Sequence, residues 1–572
     1  MLPDYEVMET DVLVIGSGAA GCLAAIAAVE KGARVTLVTK GPFPCGVTSM
    51  AIGSFAVALG HSDPADNPSE HARDALAAGM GLNDPDVVAA WTKAALEATP
   101  RLLEWGLPLV KVGDKIHQKP NIGHRYPRAV HCEDHIGKAL LDCVAAQVTR
   151  RPIQMLQHML VTDLLVAEGI VRGAYGLDYR SGKTFVVQAA ATVLATGGAG
   201  HVYSYSDNPK IIKGDGYAMA WRAGAELVDM EMIDFMLVMC HPERLWMYPP
   251  HVNATLRRKG GRFYNGLGER FMKRYCPEHA ERVPERAAVC RVAALEIYEG
   301  RATKHGGVYL DGSEALDEIS QAPPRWYRTI QEAGIDMSYQ PLELVPAAHT
   351  FLGGIRIDAT GKTSLEGLYA AGETAGGVHG ANRLGGAALS DAIAFGFVAG
   401  EAAAAKAGWE SGKRTGSGEL DSMVREAATR LEGFQGGESG IEPSQLTRAV
   451  QETMTANAMV IREERSLSRA QETLDRLRVE VAPKLRVSAG SGREMLSQLR
   501  EVVEAVNLLQ VAMLVTRAAD MRRETRGAHY RLDYPLRDDE HWLRNIVLTR
   551  AGEEVSAEVR TARGGTVAAE VH

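Results

Sequence analysis

The chain has 572 residues, 46% of them hydrophobic and 23% charged, with a formal net charge of −8. That length exceeds one ordinary hydrophobic core and predicts two or three domains, and the 59 glycines suit an α/β fold rich in tight turns. The acidic balance argues against nucleic acid or an anionic membrane surface as the main partner, and no apolar run reads as a membrane span.

In chain order, the first predicted unit is a βαβ. Asp11 to Ile15 is an apolar run of strand type, Gly16-Ser17-Gly18-Ala19-Ala20-Gly21 follows at G-x-G-x-x-G spacing, and Cys22 to Glu30 is helix-forming. Ala33 to Val38 then reads as a second buried strand. A glycine-rich turn between strand and helix is the context of a dinucleotide site, in which backbone N–H groups at the positive helix end meet a pyrophosphate. The acid that usually holds the ribose about 20 residues further on is missing, because the strand ends in Thr39-Lys40.

Val186 to Leu194 reads as another buried strand, running into Ala195-Thr196-Gly197-Gly198-Ala199-Gly200. Asp215 and the run Tyr217 to Leu227 suggest a capped helix start. The βα regularity lapses from about 235 to 345, where prolines cluster, and resumes at Gly353 to Ile357 and Gly367 to Ala371. This predicts a discontinuous nucleotide-binding domain over 1–235 and 345–410 with an inserted domain at 236–344. A Gly/Ser-rich linker at 412–418 leads to amphipathic runs, Gln445 to Arg478 and Ser491 to Arg523, that predict a helical domain over 411–545. The tail, 546–572, is read as a short hairpin or as unstructured chain.

The seven cysteines, Cys22, Cys45, Cys132, Cys143, Cys240, Cys276 and Cys290, include no C-x-x-C pair. No zinc or iron–sulfur framework is expected in this chain, and no metal site. Scattered thiols, and acids rather than bases near Met1, fit the cytoplasm.

The glycine clusters, with Gly367-Leu368-Tyr369-Ala370-Ala371-Gly372-Glu373 ahead of His379-Gly380-Ala381-Asn382-Arg383-Leu384, resemble the flavoproteins of succinate dehydrogenase, fumarate reductase and L-aspartate oxidase. Further matches are Asp229-Met230-Glu231, Gly268-Glu269-Arg270-Phe271, His349 ahead of Gly353-Gly354-Ile355, and Arg523-Glu524-Thr525-Arg526-Gly527-Ala528-His529. The resemblance spans nearly the whole chain. It implies an α/β fold: a Rossmann-like, doubly wound FAD-binding domain with an inserted α+β capping domain and a C-terminal helical bundle. It leaves room for a partner, an iron–sulfur electron-transfer subunit, through which any membrane association would come.

By resemblance, Gly16, Gly18 and Gly21 hold the pyrophosphate, Thr196, Gly197 and Asp215 lie along the adenosine, Glu373 faces the ribityl chain, and Ala388 and Leu389 approach the isoalloxazine. Ser17, Ala19, Ala20, Thr39, Lys40, Thr48, Gly53 and Arg383 complete the expected cofactor set. Relatives with covalent FAD carry a histidine where Gly46 stands, so non-covalent FAD is expected.

The family passes hydride between flavin N5 and a carbon beside a carboxylate, which calls for cations on that carboxylate and a proton donor across from the flavin. His349 and Arg383 match the carboxylate-binding pair, and Arg286 matches the proton-transferring arginine. Of the family's proton relay only Arg257 remains, since Asn253 and Ala254 replace its threonine and glutamate. The family's Gln-Phe-His-Pro reads Asp234-Phe235-Met236-Leu237, so a substrate histidine has become Met236. Met236, Asn253 and Ala254 fall on the wall that grips the far carboxylate of a dicarboxylate, and predict a small carboxylate substrate other than plain succinate or fumarate. Two alternatives stand: an L-aspartate-oxidase-like enzyme, and a flavin electron-transfer subunit without small-carboxylate turnover. His379 is read as shaping the flavin loop, Arg128, His131 and Asp134 as packing, and Arg523, Glu524 and Arg526 as an ion-pair network between domains.

Overall fold

The computed structural model describes residues 5–133, 135–248, 256–257, 259–282, 286–321, 323–409, 417–434, 441–487 and 492–563. Its centre is a seven-stranded sheet. The strand Tyr5–Ile15 lies parallel to Val35–Thr39 on one side and to Thr184–Leu194 on the other; Ile153–Gln157 extends the first edge and Leu368–Ala370 also pairs with Thr184–Leu194. Ile170–Asp178 and Met159–Ala167 continue the sheet as an antiparallel pair. Val12, Leu13 and Val14 are wholly buried because helices cover the sheet, which is why this strand reads as a continuous apolar run rather than an alternation.

The helix Ala19–Glu30 is buried at every position from Ala19 to Ala28. Its alanines let it pack closely against the long helix Ala387–Trp409, whose Gly400 lies so near that a Cβ there would sit 2.3 Å from the Ala24 carbonyl oxygen. This small-residue crossing closes the domain from two segments more than 350 residues apart.

The inserted region holds a four-stranded antiparallel sheet in the order Ile233–His241, Leu342–Phe351, Val308–Asp311, Arg262–Tyr264. The helix Arg286–Tyr298 packs on its first two strands. Breaks at 235/236 and 344/345, expected from the lapse in βα pattern, therefore fall inside the two strands that join the cap to the FAD-type domain. The carboxy-terminal helices are Ser417–Glu432, Pro443–Asn457, Glu464–Arg476 and Arg493–Met521. The amphipathic run from Gln445 to Arg478 holds two of these helices, separated by a two-residue strand, Ile461–Arg462, that pairs with Tyr530–Arg531.

Of the two readings of the tail, the hairpin is the one formed: Arg544–Ala551 pairs with Glu554–Thr561, and its first strand joins Leu227–Val228 in a five-stranded sheet. Two further expectations differ from the structure. The helix expected from Asp215 stops at Arg222, and Gly224 turns the chain at φ +92°. Two helices, Ala387–Gly408 and Glu494–Met521, are long and apolar enough by composition to cross a membrane, although 67% and 78% of their most apolar windows are buried in the fold.

A buried ion network ties the carboxy-terminal part to the base of the cap. Arg522 reaches Asp229 at 3.2 Å, Glu231 at 2.6 Å and Glu524 at 3.2 Å, and Arg526 reaches Glu524 at 2.7 Å. The buried cation is Arg522; Arg523, expected in this role, is exposed. Removing one member of such a set strands a buried charge, a loss of about 3–5 kcal/mol.

Candidate active site

One cavity of about 710 Å³ runs from the glycine loop after Tyr5–Ile15 to the cap. At its dinucleotide end the glycines divide their work. A Cβ on Gly16, which has φ +112°, would lie 2.1 Å from the Ala195 carbonyl oxygen, and one on Gly21 would lie 1.9 Å from the Gly16 carbonyl oxygen. Those two positions let strand, loop and helix touch, and Gly21 is not on the cavity wall. Gly18 is on the wall, and the nearest atom to a Cβ there is Thr48 Oγ1 at 3.4 Å, so space is left beside its backbone. Gly18 is also the N-cap of Ala19–Glu30, with no side-chain cap and no acid in the first turn. An uncapped helix start with open space before it suits a phosphate. Ser17, Ala19, Ala20, Thr48, Gly53, Thr196 and Gly197 also line the cavity.

Further along, Thr39, Lys40 and Asp215 form the wall. Asp215 is the first helical residue rather than the cap, which is Gly214. Its carboxylate accepts from Lys40 Nζ at 2.6 Å and from Asn507 Nδ2 at 2.8 Å, and Lys40 also meets Glu504 at 2.9 Å. Burial would lower the Lys40 pKa, but Asp215 and Glu504 outweigh it and hold the ammonium charged well above its ordinary range. Glu504 and Asn507 come from Arg493–Met521, and only their polarity, one turn apart in a largely apolar stretch, marked them in the sequence. Gly46, with φ +140°, also lines the cavity, and Cys45 Sγ lies 3.2 Å from Thr39 Oγ1.

Near the middle, Glu373, Ala388 and Leu389 line the wall. Glu373 accepts from the Phe351 N–H at 2.9 Å, yet burial pushes its pKa up to about 7, against the opposing pull of that N–H and of Arg383. His379 stands off the wall: it packs edge-on to Trp91 at 5.9 Å, with Nε2 3.5 Å from Asp391.

At the cap end the strand Leu342–Phe351 carries a bulge. Asp234 pairs with Thr350 and Phe235 with Ala348, so His349 is the extra residue. A bulge re-aims one side chain, and here His349 reaches the cavity with its Nδ1 2.7 Å from Asp207 Oδ2. Arg383 Nη2 lies 3.2 Å from Asp234 Oδ2, with both side chains 5% exposed. Arg257, Met236, Val289 and Cys290 complete this end, and Cys290 Sγ donates to the Phe235 carbonyl at 3.1 Å. Arg286 opens the helix that brings Val289 and Cys290 to the wall; its side chain, like Asn253, Ala254 and Asp134, lies outside the described residues. Arg128 is buried between Asp66 at 2.8 Å and Asp74 at 2.6 Å, and His131 Nε2 lies 3.1 Å from His117 Nδ1.

Asp207 and Asp234 were not among the expected site residues. Asp234 left a signal, since it occupies the glutamine position of the family's Gln-Phe-His-Pro; Asp207 left none beyond an Asp-Asn-Pro turn.

A doubly wound sheet, an open glycine loop at an uncapped helix and a long cavity ending under a cap define a dinucleotide-dependent oxidoreductase. Residues 11–389 match the FAD binding domain family, and 447–570 match the fumarate reductase flavoprotein C-terminal family. The chain is 38% identical to a fumarate reductase (CoM/CoB) subunit of Methanothermobacter marburgensis, over 96% of this chain and 99% of that one. It is 34% identical to the L-aspartate oxidase of Streptomyces coelicolor, over 95% and 91%. Among solved structures it superposes on Mycobacterium smegmatis Sdh1 in complex with UQ1 with a TM-score of 0.88, at 31% identity over 97% and 94% of the two chains. The chain belongs to the fumarate reductase and succinate dehydrogenase flavoprotein family, binds FAD and is an FAD-dependent oxidoreductase.

Proposed function

We propose that this enzyme exchanges hydride between flavin N5 and a carbon adjacent to a carboxylate, on a substrate other than plain succinate or fumarate. The observation that carries this is the convergence of His349 and Arg383 at the cap end of the FAD cavity, beside Met236 rather than a second histidine. FAD, when bound, supplies the two-electron chemistry. Arg383 provides a guanidinium that pairs with one carboxylate, His349 is held by Asp207 so that its Nε2 is the edge turned toward the cavity, and the cap keeps water from the reacting carbon. Arg286 delivers or removes the proton, and Arg257 stands beside the path. Gly46 leaves no imidazole for a covalent link, so FAD is held non-covalently. An iron–sulfur subunit carries electrons to or from the flavin, and the enzyme works in the cytoplasm; the relatives named as subunits support a partner.

An L-aspartate-oxidase-like activity is the second reading, favoured by the 34% identity to such enzymes. The test is anaerobic reduction of the bound flavin by a panel of saturated carboxylates and amino acids, and reoxidation by enoates. Bleaching by a carboxylate other than succinate is expected, bleaching by aspartate selects the second reading, and silence across the panel with FAD bound sinks both in favour of an electron-transfer subunit. Arg286→Lys is expected to lower turnover by about 10²-fold or more, the usual range for a lost proton donor, with FAD retained. Acid precipitation should leave a colourless pellet and yellow supernatant.

A further inference from the structure

We propose that Asp234 tunes Arg383 against dianions, so that the site selects an acid bearing a single carboxylate. This rests on the carboxylate reading of the site and narrows its substrate class.

Arg383 is on the cavity wall; Asp234 is not. The aspartate sits behind the guanidinium on the strand Ile233–His241, 3% exposed, with its Oδ2 3.2 Å from Arg383 Nη2. Asp207, which is itself on the cavity wall, lies 2.7 Å from His349 and is 8% exposed. Arg383 and His349 therefore each face a carboxylate before any substrate arrives, and Glu373 adds another carboxyl to the same cavity.

An acid entering here forms a charge-assisted pair with Arg383 but also meets Asp234 across it, in a setting of low effective dielectric where like charges are poorly screened. One carboxylate keeps a net gain, because a guanidinium carries donors on three nitrogens and can hold two partners at once. A second carboxylate on the same molecule adds repulsion from Asp234 and Asp207, and the wall left for it offers, among the described residues, Arg257 as its one further cation beside the apolar Met236 and Val289. Discrimination by a built-in like charge is a recognised way to reject one ligand while keeping another. Asp234 is thus a positioning residue acting through Arg383. The bulge that projects His349 lies beside it in the sheet, since Asp234 is the last residue paired in register before the break.

The test uses the FAD-loaded full-length enzyme and two probes of nearly equal size, malonate and monomethyl malonate, titrated by perturbation of the flavin absorbance. Wild-type enzyme should bind the monoester at least as tightly as malonate. In Asp234→Asn and Asp234→Gln both probes should bind tighter, malonate by about tenfold or more and the monoester by a smaller factor, because the dianion carries two charges that Asp234 repels. Asp234→Glu should keep the wild-type ranking. Malonate affinity that is unchanged or weaker in both neutral variants, with the flavin spectrum intact, overturns the proposal while leaving the carboxylate reading standing. If no carboxylate perturbs the flavin in wild type or variants, both fall together.

Discussion

At the dinucleotide end of the cavity the wall is supplied largely by glycine-rich loops that follow neighbouring strands of one sheet. At the cap end it is drawn from scattered segments around 207, 236, 257, 289–290, 349 and 383. The first arrangement tolerates little change because atoms already touch: Gly16 has no room for a methyl group. The second can be rewritten residue by residue without disturbing the sheet, as Met236 and Asp234 illustrate. One chain can thus keep a cofactor fixed while its substrate end diverges, and the boundary between the two regimes runs close to Glu373.

Four substitutions test that division. Gly16→Ala should have the largest effect: with φ +112° and a Cβ 2.1 Å from a carbonyl oxygen, the loop must shift, and FAD occupancy, read from the visible-to-ultraviolet absorbance ratio, should fall to near zero. Full occupancy would break the distinction at its stronger end. Lys40→Met leaves the buried Glu504 and the partly buried Asp215 without their shared cation, and should lower unfolding stability by about 3 kcal/mol in denaturant titrations. The fraction that still binds FAD should keep its carboxylate affinity, because the lesion is confined to the adenosine side.

Glu373→Gln probes the boundary through pH. The folded-state pKa of about 7 lies above the ordinary 4.5, so the folded protein holds the proton more tightly than the unfolded chain. The associated stability is fully present below about pH 4.5 and is lost as pH rises through about 7. The total is on the order of 3 kcal/mol by the usual conversion. The glutamine variant should therefore flatten the stability profile between those pH values, and an unchanged slope would remove Glu373 as its source. Met236→Leu should be the mildest, within about 1.5 kcal/mol and without effect on FAD occupancy, since a volume-conserving exchange is accommodated by repacking. A loss of FAD in this variant would show that the two ends are not separable.

Much of the dinucleotide end was legible as local pattern. Strand, glycine loop and helix are consecutive, so the G-x-G-x-x-G spacing and the apolar run before it suffice to place Gly16, Gly18 and the start of Ala19–Glu30. The cap end was legible only through resemblance, which pointed to His349 and Arg383 but not to what stands behind them. Asp207 and His349 are 142 residues apart in sequence and 2.7 Å apart in space. The ion network shows the same limit on a smaller scale. Resemblance led to 523–526, yet whether Arg522 or Arg523 turns inward depends on how the end of Arg493–Met521 is oriented against Asp229 and Glu231.

Composition, hydrophobic period and glycine spacing were enough to predict a βαβ dinucleotide unit within an α/β fold, because those signals reflect backbone geometry that repeats within a few residues, and the doubly wound arrangement came from resemblance. Which charges neutralise one another required the folded chain. Lys40 meets Glu504 of a distant helix, and Arg383 meets Asp234 through a cap strand joined to it only by the tertiary fold. Electrostatic partnership falls off with distance in space and is indifferent to distance along the chain, so these pairs emerge only when the segments pack.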